Sequence, residues 1–278
     1  MRSKEFSEAA ILTVKEMPAS VQHFAHFMMD YFVHVALWCH EHPSTPVVVR
    51  DCGPCTPWFE LLPAGNRVTV LPLSDVKKLS SLYPDNVHVM PGAGQFAVPG
   101  HSDRLPVFRT MFTTQVEPKG RNRVMATRSM SPSFYSSPES ERRGSGPRRR
   151  RIGNEDQLAR LLNRWWSFTV VEFFQLSPRE AVTRMSSCSV FFAQRGAALM
   201  NPLFMPPGAT VIEVLPQEFS SNKGHADLYR RACGHLGLRY MRITQKSQFA
   251  RVAPLRVVLV LAKLKIAPKA RWSVGSKH

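Results

Sequence analysis

Apolar and polar positions along this chain switch between a helical period and short strand-like runs, and their order outlines its elements. From Val21 to Trp38 apolar residues recur at helical spacing, interrupted by His23, His26, Asp30 and His34. That pattern predicts a buried amphipathic helix, since four such polar groups would be costly inside lipid. Two β-branched runs follow, Thr45–Arg50 and Arg67–Leu71, then a helical stretch at Ser74–Leu82 and a further strand at Val87–Met90. Strands alternating with helices imply βα units and a parallel sheet.

The second half is more legible. Arg123–Thr127 predicts a strand with Arg128 at its carboxyl end. Asn154 stands at the cap position of a helix whose apolar residues Leu158, Leu161, Leu162 and Trp165 fall at helical spacing. Glu155 and Asp156 occupy its first turn, where acidic groups favour the helix dipole. Ser167–Val171 is the next strand. Ser177-Pro-Arg-Glu180 is a capping box with proline at the first helical position, which predicts a helix to about Met185. Strands at Ser189–Phe192 and Thr210–Val214 follow, then a helix from His225 to His235 that ends at Gly237, before the strand Tyr240–Ile243. This βαβα series is about one mononucleotide-binding domain, so the fold class is α/β.

Between the halves, Met130–Pro147 is rich in Ser, Pro, Gly and Arg and has no period, which reads as a loop inserted within a domain. The expected organisation is therefore an N-terminal α/β domain over 1–118. A C-terminal domain follows over 119–278, with a disordered Ser/Pro/Arg-rich insertion at 130–150.

Composition changes this picture little. The chain has 278 residues, 44% of them hydrophobic, as in ordinary globular proteins. Its formal charge is +17, from 37 basic and 20 acidic residues, with Arg142, Arg143 and Arg148–Arg151 concentrated near the insertion. A basic chain attracts polyanions. The arginine cluster has only Tyr135 as a neighbouring aromatic and lies in a Ser/Pro/Gly loop, so it reads as a solvated loop, with no nucleic-acid partner expected. Met1–Met17 carries Lys4, Glu5, Glu8, Lys15 and Glu16 and has no apolar signal core, so no membrane anchor is visible.

The five cysteines, Cys39, Cys52, Cys55, Cys188 and Cys233, are odd in number with one close pair, and a disulfide framework is not expected. Cys52-Gly-Pro-Cys55 follows a strand, the setting of a thioredoxin-like redox pair. No later strand follows an Ile-Pro or Thr-Pro step, however, and Pro57 comes close behind. The histidines His23, His26, His34, His40 and His42 lack the companion pattern of a closed metal site, and no metal is expected.

The candidate chemistry lies in the loop Gln194–Gly208. Gly196, Ala197 and Ala198 are small enough to let a ligand's phosphates approach the backbone, and Arg195 adds a positive charge beside those amides. In a parallel sheet the loop sits at a strand's carboxyl end, where ligands bind. A Gly-Ala-Ala run also serves as a tight packing turn, and spacing alone does not separate the two.

The same loop resembles the signature of glycosyltransferase family 61, in which a small residue and a histidine precede Gly-Ala-Gly/Ala-Leu-x-Asn, then Pro-Gly and a strand ending in Glu. Gly196, Ala197, Ala198, Leu199, Asn201, Phe204, Pro207, Gly208 and Glu213 fall in register. Arg151-Ile-Gly-Asn-Glu155 resembles the family's helix start, and Leu236-Gly-Leu238 with Tyr240 its closing helix and strand. The resemblance runs from Arg123 to Tyr240.

It implies a GT-B architecture: two Rossmann-like domains, the C-terminal one holding a UDP-sugar and the N-terminal one facing a glycan or glycoprotein acceptor. Relatives include protein O-linked N-acetylglucosaminyltransferases and plant xylosyl- and arabinosyltransferases, which transfer with inversion. No cofactor is implied beyond the donor. Eukaryotic relatives work in the Golgi or ER lumen and bacterial ones in the cytoplasm, so the compartment stays open.

Inversion needs a general base at the acceptor hydroxyl and stabilisation of the departing diphosphate. For the second task the implied residues are Arg128, Arg195 and the Gly196–Ala198 amides, with Leu199 and Asn201 in the same loop and Glu213 accepting hydrogen bonds from the ribose. For the base, Asp51 at the end of its strand is the candidate, with His101 and Asp103 as rivals. Arg195 replaces the family's usual histidine. It can keep a phosphate-binding role, but it cannot replace a histidine in proton transfer, because arginine does not give up its proton in proteins. The alternative is thus a relative that binds nucleotide-sugar without turnover.

Overall fold

Two all-parallel sheets form around inner strands that are mainly apolar and buried on both faces. The chain is described here from a computed structural model covering residues 6–14, 21–63, 67–90, 104–113, 122–128, 151–221 and 226–269. The insertion at 130–150, the boundary near 118, the arginines of the cluster other than Arg151, and His101, Asp103 and His225 lie outside the described residues.

The first sheet has four strands, β1 (Ala10–Val14), β2 (Val47–Arg50), β3 (Val68–Leu71) and β4 (Val87–Met90), in the order β3-β2-β1-β4. β1 was not expected from the sequence, yet it is an inner strand, pairing Leu12 with Val49 on one side and with His88 on the other. Ala10 and Leu12 point into the main core while Ile11 points to the opposite face, beside Val48, Val76 and Leu79. A short apolar run buried on both faces has no polar alternation to announce it.

The main-core face is covered by helix α1, which runs on through Phe24–His26, a π-helical segment Phe27–Phe32, and Val33–Glu41. Helix α2 (Leu73–Leu82) covers the other face through Val76 and Leu79. Helix α3 (Arg104–Thr113), also unexpected, adds Leu105, Phe108 and Phe112 to the main core.

The second sheet has five strands in the order β6-β5-β7-β8-β9. They are β5 (Asn122–Ala126), β6 (Phe168–Val171), β7 (Cys188–Gln194), β8 (Thr210–Pro216) and β9 (Arg239–Gln245). Around them lie α4 (Glu155–Trp166), α5 (Pro178–Ser186), α6 (Leu228–His235) and α7 (Pro254–Lys263). The expected α/β class is present as two parallel sheets with flanking helices, a Rossmann-like character. In the order of the second sheet the chain reverses direction between β5 and β7, which makes that gap its topological switch point.

One helix start has a clear local cause. Ser177 and Glu180 form the expected capping box, with the Glu180 amide donating to Ser177 Oγ at 3.3 Å and the Ser177 amide to Glu180 Oε2 at 2.8 Å. Asn154 sits at the predicted N-cap but does not cap. Its side chain instead bonds both backbone groups of Val252, donating to the carbonyl at 2.9 Å and accepting from the amide at 2.8 Å. On α4 the buried row is Leu158, Leu162 and Trp166, while Trp165 stays 36% exposed. α7 was not expected either; it closes the outer core with Val257 and Leu261.

One core joins the halves. Phe204, from the loop after β7, lies 5.7 Å from the Phe108 and Trp58 rings and 5.8 Å from Phe112. A buried aromatic of this kind contributes about 3–5 kcal/mol relative to alanine. The loop is therefore anchored to the first sheet's helices at one end and to β7 at the other.

Candidate functional site

The switch point brings together the carboxyl ends of β5 and β7, and with them Arg128 and Gly196. Gly196 has φ +147, a conformation only glycine adopts readily. The Arg128 guanidinium lies against its Cα: a Cβ there would sit 2.8 Å from Arg128 Cζ. The Gly196 carbonyl accepts from Tyr229 Oη at 3.0 Å and from the Leu199 amide at 2.9 Å, which pins the turn from below.

A 3-10 helix, Ala197–Phe204, begins at this glycine. The first amides of a helix have no partner within it, so those of Ala197 and Ala198 open this one, and both residues are half-buried. Leu199 is in the core. Asn201 is fully buried; its Nδ2 donates to the Ala198 carbonyl at 2.9 Å, and its Oδ1 has no partner among the described residues.

Arg195 and Glu213 lie behind this turn. The Arg195 amide extends the β7–β8 ladder to the Val214 carbonyl at 2.8 Å. Its side chain, 6% exposed, donates to Glu213 Oε1 at 2.9 Å and to the Ala226 carbonyl at 3.2 Å, with its guanidinium 4.7 Å from the Tyr229 ring centre. Glu213, expected to meet a ribose, has no solvent exposure: Arg195 holds Oε1, and the Tyr240 hydroxyl donates to Oε2. Burial and the adjacent Glu213 carboxylate push the Tyr240 phenol well above its ordinary range. Arg242 donates to Tyr240 Oη at 3.1 Å and reaches Asp227, whose carboxyl is held below the usual range by hydrogen bonds from Arg230 and Arg242.

The segment before α4 fixes Arg128 from the other side. The Arg151 and Gly153 amides donate to the Gln248 and Ala250 carbonyls at 3.1 and 3.0 Å, so Arg151–Asn154 clasps the stretch leading into α7. A Cβ on Gly153 would run into backbone there, at 3.2 Å from the Ala250 carbonyl carbon. Glu155 accepts the Arg128 amide at 3.5 Å and lies 3.6 Å from Arg151 Nε. Burial raises its carboxyl above the usual range, against the pull of those donors.

The structure thus gathers Arg128, Arg195, Gly196, Ala197, Ala198, Leu199, Asn201 and Glu213 around one turn. Asp51 belongs to the first sheet. Its Oδ1 accepts the Gly53 amide at 2.9 Å and Thr56 Oγ1 at 2.5 Å, within the turn that leads into the 3-10 helix Gly53–Leu61. Cys52 and Cys55 are buried free thiols in that turn, and burial pushes Cys52 up to about 12 and Cys55 higher. That is opposite to the shift a reactive redox thiol needs. His26 and Asp30, 3.0 Å apart on α1, form a further pair not among the expected site residues, although their i,i+4 spacing on a predicted helix signals it. No helix among the described residues is long and apolar enough to cross a membrane.

Fold and turn together are those of the open α/β proteins, whose ligands sit at strand carboxyl ends beside a switch point. Within that class, the model of the family Glycosyltransferase 61 matches residues 24–212, more than half of the chain, and the chain belongs to that family. The match begins on α1 and ends within β8, so it takes in the first sheet's helices as well as the loop after β7. No curated protein matches the chain. Family membership implies a sugar donor and an acceptor as the two substrates.

Proposed function

We propose that the protein is an inverting glycosyltransferase that moves a sugar from a UDP-sugar to a hydroxyl of a glycan or protein. In this reading residues 1–118 and 119–278 are the two Rossmann-like domains of a GT-B arrangement, the second holding the donor. The observation that carries it is the Arg128 guanidinium laid over Gly196 at the switch point, beside the opening amides of a helix. An arginine fork and convergent amides suit a diphosphate, and they stabilise it most as it departs with the bond's electrons. No metal is invoked for that step.

Arg195 contributes differently from Arg128. Its charge is matched by Glu213, so the pair supports the loop from behind. The same lock supports the second reading, a relative that binds nucleotide-sugar without turnover, should the family's histidine be needed for a proton. Asp51 remains a candidate base on the acceptor side.

A thermal-shift series with UDP, GDP and their sugar conjugates tests this function. A ligand at a hundred times its Kd stabilises by about 2.7 kcal/mol, or about 5–11 °C for a chain of this size. The UDP series should shift the wild type and leave Arg128→Ala unmoved. No shift with any UDP compound refutes the proposal. Binding with no UDP release from any sugar conjugate would favour the second reading, and activity restored by Arg195→His would establish it.

A further inference from the structure

Resting on that reading, we infer that His26 is the general base that deprotonates the acceptor, with Asp30 as its positioning residue. His26 Nδ1 and Asp30 Oδ2 are 3.0 Å apart. A carboxylate only accepts, so the neutral ring donates from Nδ1, and Nε2 is the nitrogen left to take a proton. Among the described residues this is the ring's one hydrogen bond, and the side chain is 34% exposed.

Asp30 is the costly partner. It is 2% exposed, and its Oδ1 has no hydrogen-bond partner among the described residues. A buried carboxylate held by one histidine is a poor way to stabilise a helix, and an apolar side chain would pack there more favourably. It also lies in the π-helical segment Phe27–Phe32, a local irregularity that recurs at functional sites.

Position agrees with chemistry. The first sheet, ordered β3-β2-β1-β4, has its own switch point between β1 and β4, and α1 is the helix that follows β1. The Phe24–His26 turn packs against the 3-10 helix Ala197–Phe204, which starts at the turn proposed to hold the diphosphate. His26 is thus on the acceptor side, in a helical turn packed on the 3-10 helix that the Gly196 turn opens. Asp51, by contrast, spends Oδ1 on the Gly53 amide and the Thr56 hydroxyl of its own turn.

The step balances. The acceptor hydroxyl gives its proton to His26 Nε2, and its oxygen forms a bond to the anomeric carbon. The bond from that carbon to the diphosphate oxygen breaks, and its electron pair leaves with UDP. The imidazolium is stabilised by Asp30 until the proton passes to solvent.

The test follows UDP release from UDP-N-acetylglucosamine, UDP-xylose and UDP-arabinose, with water as the acceptor, in parallel with UDP binding. Loss of a general base costs on the order of 10²–10⁴-fold. His26→Ala should therefore lose at least about 100-fold in kcat while its affinity for UDP stays within about twofold, and added imidazole should restore part of the rate. Asp30→Asn keeps the shape of the side chain. It should lower kcat by on the order of tenfold or more with an unchanged donor KM, because the ring loses the partner that fixes its tautomer. Wild-type rates in His26→Ala, or a loss not relieved by imidazole while Asp51→Asn is inactive, would overturn the assignment. Failure of the wild type to bind UDP would instead refute the donor reading itself.

Discussion

Arg195→Met removes the cation facing a carboxylate that has no contact with solvent. The pair is 2.9 Å apart, with side-chain exposures of 6% and 0%. At a charge separation of about 4 Å and an effective dielectric of about 20, their attraction is about 4 kcal/mol. Removing one partner of a buried pair costs about 3–5 kcal/mol, because the other charge remains. The lost stacking on Tyr229 adds about 0.5–2 kcal/mol. Methionine keeps most of the volume, so the cavity contribution is small.

The expected loss is about 5 kcal/mol, which lowers the melting temperature by about 10–20 °C. Glu213→Gln alone leaves Arg195 unmatched and should also destabilise. The double variant Arg195→Met/Glu213→Gln removes both charges, and glutamine can still accept from Tyr240. It should be more stable than the sum of the single losses by about 2 kcal/mol or more. The assay is thermal and urea unfolding of the four proteins. Additive losses, or an Arg195→Met variant melting within about 3 °C of the parent, would refute the argument. Arg195→His faces the same buried Glu213, so its activity must be measured well below its own melting temperature.

Three other outcomes follow from the geometry. Gly196→Ala forces an alanine into a glycine-only conformation, at about 1–3 kcal/mol, and pushes Arg128 off the turn; calorimetry should show UDP affinity falling at least tenfold. Asn154→Ala strands both backbone groups of Val252 and should cost about 2–3 kcal/mol in urea unfolding, whereas a residue serving only as a helix cap would cost about 1. Cys52 and Cys55 should resist a thiol reagent at pH 8 in the native protein and react once it is unfolded, since burial raises both; rapid native labelling at one of them would revive the redox reading.

Elements with a local cause were legible in the sequence. The Ser177–Glu180 box and the strands of the second half depend on neighbours in the chain, and they occur where spacing puts them; the helix expected over Val21–Trp38 is present, running from Phe24 to Glu41. Asn154 shows where such reasoning stops. Its position is that of a cap, but its side chain finds better partners 98 residues away in sequence.

What the sequence by itself determined is the α/β class, the family loop from Gly196 to Gly208, and the residue types that gather there. Only the tertiary structure decided their roles. β1 is an inner strand because two other strands and two helical layers cover it, which no pattern within Ala10–Val14 records. Arg128 and Gly196 share a site because β5 and β7 are neighbours across a switch point. Arg195 and Glu213, both read as ligand contacts, are turned toward each other, since β7 and β8 lie side by side and a buried carboxylate takes the nearest cation. His26 and Asp30 were visible as letters one helical turn apart. Only the fold buries the aspartate beside the histidine and packs that turn on the loop after β7.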